Sequence, residues 1–170
     1  LDKEMWVIAG VAEILSAHDK DPVNVALTPE VKSKFIDFVG LGSRLLESRL
    51  SERTLTDFQA KQVQGLCFDC EHNMWDGYSS GDYAGYTGET FPTEADKKRG
   101  ENIGWDIAHA TRFVYVFNSL YENRDVTGQL FPDRNVLEKL ANQLLYGASN
   151  KDLNLPLFTN WMTGVNGWWR

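Results

Sequence analysis

The chain has 170 residues, a hydrophobic fraction of 42% and a net charge of −7, which together are typical of a globular domain with a real core. The negative charge argues against nucleic acid or an anionic membrane as the main partner, because both require a basic surface. No apolar run approaches the roughly 18 residues of a membrane-spanning helix. The chain begins at Leu1 and shows no signal peptide, so we expect a processed or excised piece of a larger protein.

Two amphipathic helices are predicted first. Apolar residues recur at helical spacing over residues 4–18. A second helix begins at residues 28–30, where Thr-Pro-Glu supplies an N-cap, a proline at the first helical position and an acid in the first turn. Gly40 and Gly42 lie inside its apolar pattern and predict a kink or a close contact with another helix.

A third helix is predicted from residues 56–59, Thr-Asp-Phe-Gln, which match a capping box. One face of this helix carries Val63, Leu66, Cys67 and Cys70. Residues 73–92 then contain four glycines, three tyrosines and one tryptophan with almost no periodicity. Long loops inside compact domains are often functional, and the aromatic residues favour a functional loop here.

The two cysteines form a single CxxC motif at Cys67 and Cys70. No second motif supplies the further ligands that a structural zinc site requires, and the βαβ context of a redox motif is not found. Buried or incidental thiols are the favoured interpretation, with a local disulfide or redox pair as the alternative.

A fourth helix over residues 103–123 and a fifth over residues 133–146 complete the pattern, with Gly147 as the predicted C-cap of the fifth. Asn-Gly at residues 166–167 predicts a tight turn. The predicted fold class is mostly α. About five helices would form helical hairpins with a long aromatic loop, as a single domain over residues 1–170.

The fourth helix carries Asp106, His109 and Arg112 at three-residue steps. Its apolar residues cover nearly all of its circumference, which predicts that it is enclosed on most sides. Enclosed charges must be paired or must face a wet cavity. A neutral His109 beside an ordered Arg112 can act as a general base. The structural alternative is that Asp106 only orients His109 as a polar pair beneath a loop.

A second polar cluster occurs where the predicted third helix runs into the aromatic loop. Because the third and fourth helices flank this loop, we expect its two ends to lie close together. Sugars stack on aromatic rings and hydrogen-bond to planar polar groups, so a polysaccharide or oligosaccharide is the expected partner. The polar members of the combined site are Glu71, His72, Asn73, Asp76, Asp106, His109 and Arg112, and its aromatic members are Trp75, Tyr78, Tyr83, Tyr86 and Trp105.

Metal binding is the competing use of these residues. Asp106 and His109 have the spacing of a helical ligand pair, but a di-iron bundle requires that motif twice. An irregular calcium loop is an alternative, although Gly77 falls too late for an EF-hand. We predict no required cofactor, with calcium as the metal left open. The candidate calcium ligands are Asp69, Glu71, Asn73, Asp76 and Asp82.

Other common catalytic motifs are absent from the sequence, which has no G-x-S-x-G elbow, P-loop or dinucleotide-binding glycine fingerprint. A nucleophilic Cys–His pair stays open, without a local pattern that favours it.

The stretch GWDIAHATR, residues 104–112, resembles the D-x-S-H-A-x-R segment of α/α-toroid carbohydrate-active proteins, which include polysaccharide lyases and related glycoside hydrolases. The final NGWWR, residues 166–170, resembles a segment near the same sites in that family. Ala108 departs from the pattern by replacing the expected small hydroxyl residue. About five helical segments are too few for a full toroid, so the resemblance implies a compact bundle or a partial toroid.

This resemblance implies a secreted or periplasmic protein that acts on polysaccharide. In a lyase, His109, or alternatively His72 or a loop tyrosine, would be the base. Arg112 and Asn73 would neutralise the uronate carboxylate, and Asp106 would orient the imidazole. In a hydrolase, two carboxylates would flank the scissile bond, with Asp76, Glu71 and Asp106 as candidates. The alternative function is a non-catalytic glycan-binding or protein-interaction helical module.

Overall fold

The computed structural model describes residues 2–68, 85–86, 97–98, 106–159, 161–164 and 168–169. Within this part the chain is mostly helical, which confirms the predicted fold class, and its strands pair antiparallel in twos. The elements in chain order are α1 (Asp2–Lys20), α2 (Pro29–Glu47), β1 (Leu50–Thr56), β2 (Gln62–Phe68), β3 (Gly85–Tyr86), β4 (Lys97–Lys98), α3 (Ile107–Glu122), α4 (Arg124–Thr127), α5 (Arg134–Asn142), a π-helix (Gln143–Ala148), β5 (Phe158–Thr159) and β6 (Trp168–Trp169).

The chain divides into two compact units. Unit 1 comprises Leu1–Arg49 and Arg112–Leu137, and unit 2 comprises Leu50–Thr111 and Glu138–Arg170. Unit 1 therefore holds α1, α2 and α4, and unit 2 holds the β1–β2 hairpin and the π-helix. The single domain predicted over residues 1–170 and its bundle or partial-toroid arrangement stay predictions.

In unit 1, α1 and α2 approach each other closely at a glycine. A Cβ built on Gly42 would lie 2.7 Å from two carbons of the Ile8 side chain. The close helix contact predicted inside the second helix is therefore confirmed. The start of α2 is also as predicted, because the Oγ1 of Thr28 accepts a hydrogen bond from the backbone N of Val31 at 3.3 Å. Buried residues of this unit include Met5, Leu15, Val39, Leu46, Phe117 and Leu120.

Replacing Gly42 with alanine is expected to destabilise the protein. The new methyl would press against the buried, β-branched Ile8 side chain, and overpacking of this kind costs about 1–3 kcal/mol. This cost should exceed the helix-propensity gain of about 1 kcal/mol. Gly10→Ala is the matched control on α1, because a Cβ there meets nothing within 4 Å, and it should raise stability. Urea unfolding of both variants measures the difference, and equal shifts of the same sign would contradict the packing argument.

The predicted third helix is wrong, because residues 50–68 form a β-hairpin. Its two strands pair antiparallel, with Leu50 opposite Phe68 and Thr56 opposite Gln62. The reason lies at Asp57, whose Oδ1 accepts hydrogen bonds from the backbone N of Gln59 at 2.8 Å and of Lys61 at 2.9 Å. Asp and Thr side chains stabilise turns by the same local bonds that cap helices, so the apparent capping box belongs to a hairpin turn.

The hairpin turn holds Ala60 in a left-handed conformation, with φ of 61°. This conformation costs a residue with a Cβ about 1–2 kcal/mol, and glycine avoids that cost. Ala60→Gly should therefore stabilise the protein, even though glycine makes the unfolded chain more flexible. Ala26→Gly, in an exposed segment without positive φ, is the control and should destabilise. Thermal unfolding would contradict this account if both variants lost stability alike.

Helix α5 confirms most of the predicted fifth helix, but the chain then continues as a π-helix to Ala148 in unit 2. Gly147 lies inside this π-helix, so its predicted role as a C-cap is wrong. A Cβ on Gly147 would collide with the carboxamide of Gln143, which is fully buried. Gln143 in turn donates from Nε2 to the backbone O of Met162 at 2.7 Å. The glycine is therefore required by close packing and not by helix termination.

Most of the predicted aromatic loop lies outside the described residues. Gly85 and Tyr86 of that loop form β3, which pairs with Lys97 and Lys98 of β4. At the end of the chain, β5 pairs with β6. The turn predicted at residues 166–167 between these strands also lies outside the described residues. None of the described helices is long and apolar enough to cross a membrane.

Candidate functional site

Asp106 fixes the start of α3. Its Oδ1 accepts a hydrogen bond from the backbone N of His109 at 3.1 Å, and its backbone O lies 3.2 Å from the same nitrogen. An Asp in this position satisfies a backbone N–H that the first helical turn leaves without a partner. The backbone of Asp106 also forms an antiparallel bridge with Trp161. The residue is therefore held both by the helix it begins and by a distant part of unit 2.

The second carboxylate oxygen of Asp106 binds the imidazole of the same histidine. The Nδ1 of His109 lies 2.5 Å from Oδ2 of Asp106 and donates to it. A single carboxylate thus holds both the backbone and the ring of His109. This contact orients the ring, because the hydrogen bond at one ring nitrogen sets the tautomer at the other.

The pair is open to solvent, and the prediction that it is enclosed is wrong. The side chain of His109 is 47% exposed and that of Asp106 is 37% exposed. A polar contact this exposed contributes little to stability, typically below about 1 kcal/mol. The main effect of the contact is therefore to hold the imidazole in one orientation at the surface of unit 2.

The prediction that the fourth helix is buried nearly all round is also wrong. Val114 and Tyr115 of α3 are 62% and 65% exposed. Burial is confined to one face, where side chains recur every three or four residues, as in an ordinary amphipathic helix. These buried residues are Ala110, Phe113, Val116, Phe117 and Leu120.

Of the other predicted site residues, Arg112 is the one whose side chain the structure describes. It lies one turn beyond His109 on α3 and is half-buried. Tyr86 is placed by its backbone in β3. The remaining residues lie outside the described part of the chain, so the predicted meeting of the two loop ends stays a prediction. These residues are Glu71, His72, Asn73, Trp75, Asp76, Tyr78, Tyr83 and Trp105.

The metal prediction also depends on residues outside the described part, since all five candidate calcium ligands fall within residues 69–82. Among the described residues, no group of three or more His, Cys, Asp or Glu side chains is placed to hold a metal ion. Cys67 is fully buried in β2, and Cys70 lies outside the described residues. Calcium binding and a role for the CxxC motif therefore stay predictions.

Trp161 is a residue near the site that sequence reasoning missed. Its backbone bridges Asp106, and its buried indole Nε1 has no hydrogen-bond partner in the described part of the chain. Such a donor costs about 1–3 kcal/mol when it stays unpaired. The sequence around Trp161 has neither helical nor strand periodicity. Only the pairing of two distant segments brings this residue to Asp106.

Comparison with known proteins found no match for the chain among family models, curated proteins or solved structures.

The variants Asp106→Ala and Asp106→Asn distinguish the contribution of helix capping to stability from the contribution of the carboxylate charge. Alanine removes the cap of α3 and should cost about 1 kcal/mol, whereas asparagine caps almost as well and should cost less. The free energy of unfolding of each variant measures this. Asp133→Ala is a matched comparison, because Asp133 accepts from the backbone N of Val136 at 2.8 Å at the start of α5. Asp37→Ala, exposed in the middle of α2, should have little effect. Equal losses for the two Asp106 variants would contradict the capping role.

Proposed function

We propose that this chain is a carbohydrate-active protein that cleaves a polysaccharide, by elimination at a uronate residue in preference to hydrolysis. The observation that supports this proposal is the solvent-exposed pair of Asp106 and His109, in which one carboxylate orients an imidazole at the start of α3. An oriented and accessible imidazole is suited to accept a proton from a polymer too large to enter a buried cavity.

In the proposed reaction, His109 accepts the proton from the carbon next to the uronate carboxylate. Because Nδ1 donates to Asp106, the proton is accepted at Nε2. The electrons of the broken C–H bond form a C=C bond, and the glycosidic C–O bond breaks. The departing oxygen takes up a proton from an acid or from water. Arg112 and Asn73 are the proposed partners of the uronate carboxylate, whose charge would otherwise oppose proton removal.

The geometry of Asp106 favours elimination over hydrolysis. A glycoside hydrolase requires two carboxyl groups at the scissile bond, one of them able to donate a proton. Both oxygens of Asp106 accept hydrogen bonds from His109, which suits an orienting role better than that of a proton donor. The other hydrolase candidates, Glu71 and Asp76, lie outside the described residues.

A secreted or periplasmic location accompanies this proposal, since polysaccharide substrates occur there. The alternative is a non-catalytic glycan-binding module, which the exposed aromatic rings of Trp6 and Tyr115 favour. Calcium is not part of the proposed mechanism, and the assay below tests whether turnover depends on it.

The test is a turnover assay on polygalacturonate, alginate and a neutral galactomannan, each with calcium and with chelator. It follows new reducing ends together with the ultraviolet absorbance of an unsaturated uronate. We expect both signals from the wild-type protein on an acidic polymer. His109→Gln should lower turnover by about 10²–10⁴-fold, the usual contribution of a general base. Asp106→Asn should lower it less, because the imidazole is retained without its orienting charge.

His18→Gln is the matched control, since the Nδ1 of His18 donates to the backbone O of Val25 at 2.8 Å in unit 1 and takes no part in the proposed chemistry. This variant should keep wild-type turnover. Reducing ends without absorbance would mean hydrolysis and move attention to Asp76 and Glu71. Absence of both signals from the folded protein would support the binding module. If His109→Gln kept the wild-type rate of turnover, the assignment of His109 as the base would be wrong.

A further inference from the structure

Side chains of α1 contact α3 and the residue that follows it, Asn123, in unit 1. The rings of Trp6 and Tyr115 stack, Ser119 Oγ donates to Glu13 Oε1 at 2.5 Å, and Asn123 Nδ2 donates to the same oxygen at 3.0 Å. The contacts advance in the same direction along both helices, so α1 and α3 run parallel here. We name the surface along this seam, formed by Trp6, Gly10, Glu13, Tyr115 and Ser119, the α1–α3 groove.

One end of the α1–α3 groove is aromatic. The ring planes of Trp6 and Tyr115 make an angle of 27°, and their centroids are 6.2 Å apart. Trp6 is 46% exposed and Tyr115 is 65% exposed. The rings are too far apart for full overlap, so each keeps a large apolar surface in contact with solvent. Two large aromatic rings held in this way can stack against the apolar face of a ligand.

The middle of the α1–α3 groove has no side chain. Gly10 is exposed, and a Cβ built on it would meet nothing within 4 Å. Trp6, Gly10 and Glu13 follow at four- and three-residue steps and therefore share one helix face. A glycine inside an exposed helix costs about 1 kcal/mol relative to alanine. Here it leaves the space between the aromatic and the acidic residue open.

The other end of the α1–α3 groove is polar and ordered. Glu13 is exposed, and one of its oxygens is held by Ser119 and Asn123. A carboxylate has about four lone-pair sites, so this one can accept further hydrogen bonds. The hydroxyl of Ser119 also lies close to the backbone O of Ala9, at 3.5 Å. This end therefore offers an oriented acceptor to the hydroxyl groups of a ligand.

We propose that the α1–α3 groove binds a saccharide chain, with sugar rings against Trp6 and Tyr115 and hydroxyl groups at Glu13. This inference takes its ligand class from the proposed function, but none of its residues belongs to the Asp106–His109 pair. Trp6 and Glu13 are seven residues apart, or roughly 10 Å along the helix. A ligand that uses both ends must be extended and must carry apolar faces and hydroxyl groups along its length.

The spacing and charge disfavour compact ligands and polyanionic ligands. A compact ammonium ion must lie within about 6 Å of an aromatic ring centre, so it could not use both ends of the groove. Nucleic acid would be repelled by Glu13 and by the net charge of −7, and for the same reason we expect the groove to bind the neutral galactomannan more strongly than the two polyuronates. The neighbouring Val7 and Ile14 of α1 are also exposed, and exposed apolar side chains of this kind suit a protein partner. Self-association through this face is therefore one outcome that the binding experiment must distinguish.

The test measures binding of soluble polygalacturonate, alginate and galactomannan by affinity electrophoresis, in the His109→Gln background so that the polymers stay intact. The protein with an unchanged groove should migrate more slowly in gels that contain at least one of these polymers. Trp6→Ala should weaken that binding roughly three- to tenfold, the size of one aromatic contact. Gly10→Leu should weaken it at least as much, because the side chain fills the groove while leucine suits a helix better than glycine. Unfolding curves verify that Gly10→Leu is folded.

Phe58→Ala is the matched control, since Phe58 is another half-exposed aromatic residue, stacked edge-on against Tyr146 in unit 2, and it should bind as before. Unchanged binding in both Trp6→Ala and Gly10→Leu overturns the groove. So does a protein that binds none of the polymers, or one that self-associates through Trp6 without binding them. If the protein shows turnover but Trp6→Ala and Gly10→Leu bind the polymers as before, the groove proposal is wrong and the proposed function stands. Groove-dependent binding without turnover would overturn the proposed function alone.

Discussion

The carboxylate of Asp106 is the constraint on which the candidate site depends. One oxygen receives the backbone N–H of His109 and the other receives its ring, so helix initiation and ring orientation share a single group. A backbone bridge to Trp161 also holds the main chain of Asp106. Because these bonds are short and local, the imidazole is placed by the first turn of α3 and not by burial. This explains how an exposed histidine can still have a defined orientation.

In each of the two units a side chain packs directly against the backbone of a glycine. In unit 1, Gly42 allows α2 to contact the side chain of Ile8. In unit 2, Gly147 allows the π-helix to enclose the Gln143 carboxamide, which binds the backbone O of Met162. π-Helical turns are rare and are frequent near functional sites. Here the turn ties the segment that contains Trp161 to the end of α5, and Trp161 in turn bridges Asp106.

Asp57 and Asp106 show why local sequence was insufficient for one part of the fold. Each carboxylate accepts a backbone N–H a few residues further along the chain, which is the pattern that the sequence reveals. At Asp106 the chain continues as α3, whereas at Asp57 it returns as β2. The next segment makes this choice, because Gln62–Phe68 finds β1 as a pairing partner and the pairing satisfies its backbone groups across the hairpin.

Local interactions determined the parts of the protein that the sequence predicted correctly. Helices α1, α2, α3 and α5 lie near their predicted positions, since periodicity and caps act within a single turn. The contact between Asp106 and His109 belongs to this class, because residues three apart on a helix are neighbours. The mostly α class is a consequence of the same local signals.

Only the tertiary structure decided which sides of these helices are buried. The apolar pattern of α3 covers most of its circumference, yet Val114 and Tyr115 remain exposed, because burial depends on which faces find partners. The sequence likewise contains no signal that pairs Glu13 with Asn123, which are 110 positions apart. Hydrogen bonds within one turn can be derived from neighbouring residues, whereas contacts between distant segments form only when the chain has folded and excluded water from the faces between them.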